Sequence, residues 1–220
     1  MSLLDAGLES VAKRTFAWAI DWPGWCRSAK TAELAQDALI AARPRYAVVV
    51  GRAGLVLPEI LGSGDLQIIE TVDGNGGTEF GVPSIITASD HRPTTAAEAE
   101  RLSGLVAAAW AILDEVTART PESLRKGPRG GGRDRDRIVA HVVGADHAYA
   151  REIGLRGPEP DPADRRAIEA EREAVIAVLR EPSDGAPLAD RRWTQRYAAR
   201  RIAWHTLDHA WEMEDRTEPD

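Results

Sequence analysis

The sequence predicts an α+β protein, with a small α/β domain over residues 1–91 and a four-helix bundle over 92–220. Two observations carry this. Upstream of about residue 90, short β-prone runs alternate with turn residues, whereas downstream four stretches place apolar residues at helical spacing. A chain of 220 residues is long enough to bury a core in either half. With 43% hydrophobic and 29% charged residues it has the balance of a globular protein rather than a disordered one.

The elements follow in order. Residues 14–21 alternate apolar and polar and read as a strand, and Asp21-Trp-Pro-Gly-Trp25 supplies a turn. Residues 31–42 read as a helix with Thr31 as its N-cap. Residues 45–50 fit strand or helix equally. Residues 66–72 and 78–82 read as two further strands, joined by a turn over Asp73-Gly-Asn-Gly-Gly77.

Beyond the Asp90-His-Arg-Pro93 linker, Thr95-Ala-Ala-Glu98 is a capping box. The first bundle helix then sets Leu102, Leu105, Val106, Ala109, Leu113 and Val116 on one face. The second begins near Asp134 and aligns Ile138, His141, Val142, Ala145 and Tyr149. The third opens at Asp161-Pro162, an N-cap followed by proline at the first helical position, with Ile168, Val175, Ile176 and Leu179 inward. The fourth runs over about 194–215, with Ala198, Ile202, His205, His209 and Met213 in one stripe and Trp204, Leu207 and Trp211 on its other sides. Four amphipathic helices with modest connections describe a bundle.

His205 and His209 lie four residues apart, so on a helix their imidazoles sit one above the other. Buried imidazoles need partners, because an unsatisfied buried polar group costs about 1–3 kcal/mol. Two readings satisfy the pair: one shared metal ion, or hydrogen bonds to carboxylates and backbone. His141, inward-facing on a separate helix, adds a third ligand and favours the metal, since three histidines leave open positions of the kind catalytic ions use. His147, six residues on, turns off that stripe and is peripheral; His91 lies in the linker and is solvated.

Asp208 and Glu212 flank the pair, as candidates to orient an imidazole or to act as a base beside the metal. Arg201 and Tyr197 stand one and two turns earlier and are candidate substrate-binding groups, Arg201 for an anion. The basic stretch Lys126-Gly-Pro-Arg-Gly-Gly-Gly-Arg133 reads either as an anion-binding loop before a helix or as a flexible connection, and it lacks P-loop spacing.

The formal charge of −7 argues against a general nucleic-acid partner. No apolar run approaches the roughly twenty residues of a membrane span, and the N-terminus carries no signal-peptide pattern. A single cysteine, Cys26, allows no intrachain disulfide and reads as a small buried hydrophobe, which fits a reducing cytoplasm. Arginine supplies 25 of the 28 basic residues, a bias that fits GC-rich bacterial coding.

Arg137-Ile-Val-Ala-His141 with Ala-Asp-His-Ala-Tyr149, together with Ala203-Trp-His-Thr-Leu-Asp-His-Ala-Trp211, resembles the DinB/YfiT-like superfamily of metal-binding four-helix bundles over roughly residues 92–216. That family sets one histidine on the second helix and His-x3-His on a late one, a pattern matched by His141, His205 and His209. The resemblance implies a divalent metal, zinc or nickel most often, and a homodimer. Its members include thiol-dependent transferases and a mycothiol-dependent isomerase. More weakly, residues 16–26 with the helix that follows resemble HicB-like antitoxin domains in their order of strand, Pro-Gly turn and helix; no separate DNA-binding element accompanies them.

The expected function is that of a cytoplasmic metal-dependent enzyme working on a small molecule, by thiol-dependent transfer or isomerisation, with a low-molecular-weight thiol such as mycothiol as cosubstrate. The alternative is a non-catalytic metal-binding sensor or interaction protein that uses the N-terminal domain for a partner. An exposed cluster of Trp18, Trp22 and Trp25 would favour the alternative.

Overall fold

The computed structural model describes residues 3–60, 62–127 and 132–217. Its elements are β1 Leu4–Val11, β2 Arg14–Ala19, β3 Cys26–Ala29, α1 Ala32–Ala41, α2 Arg43–Arg52, β4 Leu66–Asp73, the single turn α3 Gly76–Glu79, α4 Ala96–Arg119, α5 Arg135–Glu152, α6 Arg165–Arg180 and α7 Gln195–Arg216. The strands form one sheet in the order β3-β2-β1-β4, with β1 and β4 parallel and the other pairs antiparallel. None of the helices among the described residues is long and apolar enough to cross a membrane.

The central strands β1 and β2 are buried on both faces, so β2 alternates between two apolar environments rather than between core and water, while edge strand β4 keeps one face exposed. Ala17 and Ala19 pack towards Ala35 and Leu39 of α1 and Tyr46 of α2, while Phe16, Trp18 and Cys26 form a cluster with Trp204 of α7. Gly7 pairs with Trp18 across the β1–β2 ladder, and a Cβ there would lie 2.3 Å from the indole. Glycine at this position makes room for the ring. The Trp22–Trp25 turn rests on α7, where a Cβ on Gly24 (φ +91°) would meet Leu207 at 2.6 Å.

Thr31 caps α1, accepting from the Leu34 N–H, and Pro44 in the first turn of α2 turns residues 45–50 into helix. In the second half Thr95 and Glu98 form the reciprocal cap of α4, and Thr194 caps α7. Every residue expected on the inner face of α4 is buried. The α4 face packs against both α7 and α6, and α5 packs against α7.

Three expectations are corrected. Residues 78–82 do not form a strand and 73–77 are not a hairpin turn. Asn75 caps α3 instead, and the Thr78 hydroxyl donates to Glu9 of β1 at 2.5 Å. Glu9 is wholly buried and also accepts from the Ser84 and Ile85 N–H groups, so its carboxylate fixes the 74–85 segment in a form no ladder could hold. β4 takes β1 as its partner, a strand whose Asp5, Gly7 and Glu9 disguise it in the sequence.

The third bundle helix begins at Arg165 rather than beside Pro162. Asp164 is its cap, accepting from Arg166 and Ala167, while Asp161 closes the preceding turn. The tryptophan cluster is not an exposed patch either. Trp18 and Trp25 are buried, Trp22 is partly so, and the Trp25 indole donates to the Leu39 carbonyl. His147 is peripheral to the His141 stripe but buried, with Nδ1 2.7 Å from Glu171. Cys26 is buried as expected, and burial pushes its thiol well above the usual range, which leaves it inert.

Candidate metal centre

α5 and α7 bring three imidazoles together. His141 stands midway along α5, and His205 and His209 occupy successive turns of α7. One ligand nitrogen from each lies within 4.8 Å of the others, and the Nε2 atoms of His141 and His205 are 3.2 Å apart. Two nitrogens bound to one tetrahedral ion at about 2.0–2.1 Å would stand roughly 3.3 Å apart, so this spacing already suits a shared ion. The rings meet edge to face, with centroids 4.7 to 5.1 Å apart.

Burial grades the three. His205 is 6% exposed, His209 keeps 12% of its side chain exposed and His141 is half-buried, so the cluster has one closed side and one open side. Desolvation drives the His205 pKa down to about 2, helped by the charges of His209 and Arg201, and desolvation lowers His141 as well. Neutral imidazole is the form that donates a lone pair to a metal, and folding imposes it here.

Glu212 sits 2.8 Å from His209 Nδ1 and takes the Arg216 guanidinium on its other oxygen at 2.7 Å. The hydrogen bond to His209 is the main cause that lowers the Glu212 pKa. A carboxylate on Nδ1–H fixes the tautomer that turns the Nε2 lone pair inward. Replacing Glu212 with glutamine should therefore weaken metal binding roughly tenfold without unfolding the chain, as read by competition with a chromophoric chelator. His205 Nδ1 is buried and makes no hydrogen bond among the described residues.

The remaining candidates separate. Asp208 faces away, towards β3, where Arg27 lies 3.2 Å from it, and burial raises its pKa. Arg201 lies beside the cluster, its guanidinium 4.8 Å from the Trp204 ring and 5.3 Å from that of Tyr149, with a buried Nη1 that makes no hydrogen bond among the described residues. The Tyr197 hydroxyl donates to the Ser84 carbonyl at 3.2 Å, and its ring packs against Trp193. Sequence reasoning gave Tyr149 no role, although it lies two turns beyond His141 on the same stripe; its ring centroid is 5.6 Å from that of His205. Arg216 also supports the centre through Glu212, and its signal in the sequence is the Glu212–Arg216 spacing of four.

Of the basic stretch 126–133, residues 128–131 lie outside those described; Lys126 pairs with Asp134. His91 is exposed, with Nδ1 3.2 Å from the Gly185 carbonyl. Of these, Arg133 reaches the centre electrostatically: its charge helps to lower the pKa of both His141 and His205. No family model, curated protein or solved structure matches the chain.

Proposed function

We propose that this protein is a DinB-like metal-dependent enzyme that acts on a small anionic molecule by thiol-dependent transfer or isomerisation. One observation carries the reading: three imidazoles converge near Arg201, whose buried Nη1 makes no hydrogen bond among the described residues. His141, His205 and His209 would hold zinc or nickel, with the open side of the cluster left for substrate. A divalent ion there supplies Lewis acidity, ionising a bound water or thiol or polarising a carbonyl. Arg201 binds the anionic group through Nη1, which makes no hydrogen bond among the described residues, and Tyr149 and Trp204 fix the plane of that guanidinium. Glu212 orients His209 and is the carboxylate placed to carry a proton beside the metal, whereas Asp208 is turned to Arg27. Mycothiol is the proposed cosubstrate, and the proposed setting is a cytoplasmic homodimer with no nucleic-acid or membrane partner.

Spectroscopy of the cobalt-substituted protein tests this. Adding a low-molecular-weight thiol that carries a carboxylate should produce a thiolate-to-metal charge-transfer band. The band should be absent in His205→Ala and should require roughly tenfold more thiol in Arg201→Gln. A cobalt-loaded protein whose spectrum no thiol changes would overturn the thiol-dependent reading.

A further inference from the structure

We infer that a second site, separate from the histidine cluster, binds the phosphoryl group of a small organic phosphate at the far end of α5. A cavity of about 390 Å³ opens there, and every charged side chain that lines it is an arginine: Arg151, Arg156 and Arg191. No carboxylate lines it, although the chain as a whole carries a net charge of −7. Among the described residues Arg151 and Arg156 make no ion pair or hydrogen bond through their side chains, and Arg191 comes only within 3.7 Å of Glu152. Three exposed guanidinium groups lining one space make it a positively charged pocket, which an anion would complement. A tetrahedral dianion offers enough acceptor oxygens to serve all three.

The backbone supports a built site. Gly154 (φ +91°), just beyond α5, and Ala189 (φ 50°) meet at the cavity wall, and a Cβ on Gly154 would stand 2.4 Å from that of Ala189. Ala189 and Asp190 both adopt left-handed backbone, which L-residues with side chains avoid and which persists only where the surroundings impose it. This strained turn sets Arg191 on the wall of the cavity that Arg151 and Arg156 also line. A neighbouring cavity of about 500 Å³ shares Leu155, Arg156 and Gly157; Glu159, Asp161, Asp164 and Glu171 also line it, so it suits an uncharged or cationic organic part beyond the head group and not a second anion. His141 and Arg151 are ten residues apart on α5, about 15 Å along the helix axis, so the two sites are distinct.

Calorimetric titration of the full chain with inorganic phosphate, at constant ionic strength, tests the assignment. Saturable binding is expected, weakened about tenfold or more in Arg151→Gln and in Arg156→Gln. Both residues are exposed and unpaired, so both variants should keep the parental Tm. Arg166→Gln, an exposed site on α6 outside the cavity, should bind phosphate like the parent, and so should His205→Ala. Absence of saturation by about 10 mM would overturn the proposal, as would parental affinity in both cavity variants. Equal weakening by Arg166→Gln would show a diffuse charge effect, and loss in His205→Ala would place the anion at the histidine cluster; each overturns the second site. Tighter binding of succinate than of phosphate would overturn the phosphoryl assignment.

Discussion

Replacing His205 with alanine should abolish stoichiometric metal, leaving the purified variant at least about a hundredfold weaker for zinc or nickel than the parent. Elemental analysis after dialysis reads this directly, and full retention of metal would overturn the three-histidine centre. His205 is the decisive position because it is the most buried of the three and lies closest to a second ligand, with 3.2 Å between its Nε2 and that of His141. His147→Ala is the matched control. It removes an equally buried imidazole whose partner is Glu171 on α6, so it should leave the metal content unchanged. The pH dependence carries a sign of its own. Folding depresses the His205 pKa from 6.5 to about 2, so the unfolded chain binds a proton there that the folded chain refuses. The neutral ring costs nothing above pH 6.5, and stability is lost progressively as pH falls from 6.5 towards 2. The metal-free parent should therefore lose Tm on acidification below pH 6.5 more steeply than metal-free His205→Ala.

The centre was legible in the sequence because helix geometry is local. The spacing of four between His205 and His209 fixes their common face whatever α7 packs against, and the apolar stripe through Ile138 and Val142 does the same for His141. What was not legible depends on partners distant in sequence. Glu9 reads as a surface carboxylate until Thr78, Ser84 and Ile85 are seen to bind it, and those bonds hold residues 78–82, expected as a strand, out of any ladder. The tryptophans at 18 and 25 read as a possible docking patch because nothing local reveals that Trp204 and Tyr46 cover them. Asp208 and Glu212 looked interchangeable as neighbours of the histidines. The arginines they meet, Arg27 on β3 and Arg216 on α7, divide them, leaving only Glu212 on an imidazole.

The second large effect is expected from Asp90→Ala, which should destabilise the protein by about 3–5 kcal/mol, a fall of roughly 10 °C in Tm. Asp90 and Arg200 are each 5% exposed and form a two-point contact, Arg200 Nη2 to Oδ2 at 2.6 Å and Nε to Oδ1 at 3.2 Å. Asp90 also accepts from the Thr87 N–H, and Arg200 donates to the Ile85 carbonyl while lying over the rings of Trp18 and Tyr197. Removing the carboxylate alone strands a buried cation, which is where most of the cost arises. The double variant Asp90→Ala with Arg200→Met should therefore be more stable than Asp90→Ala alone, as measured by urea denaturation; a double variant as unstable as the sum of the two singles would refute this account. The pair also bears on the metal. It anchors Arg200 towards the sheet, and the next residue, Arg201, then points with His205 towards α5. Loss of the anchor lets α7 rotate, so Asp90→Ala should weaken metal binding as well, and by less than His205→Ala, because it loosens the frame while leaving all three ligands in the chain.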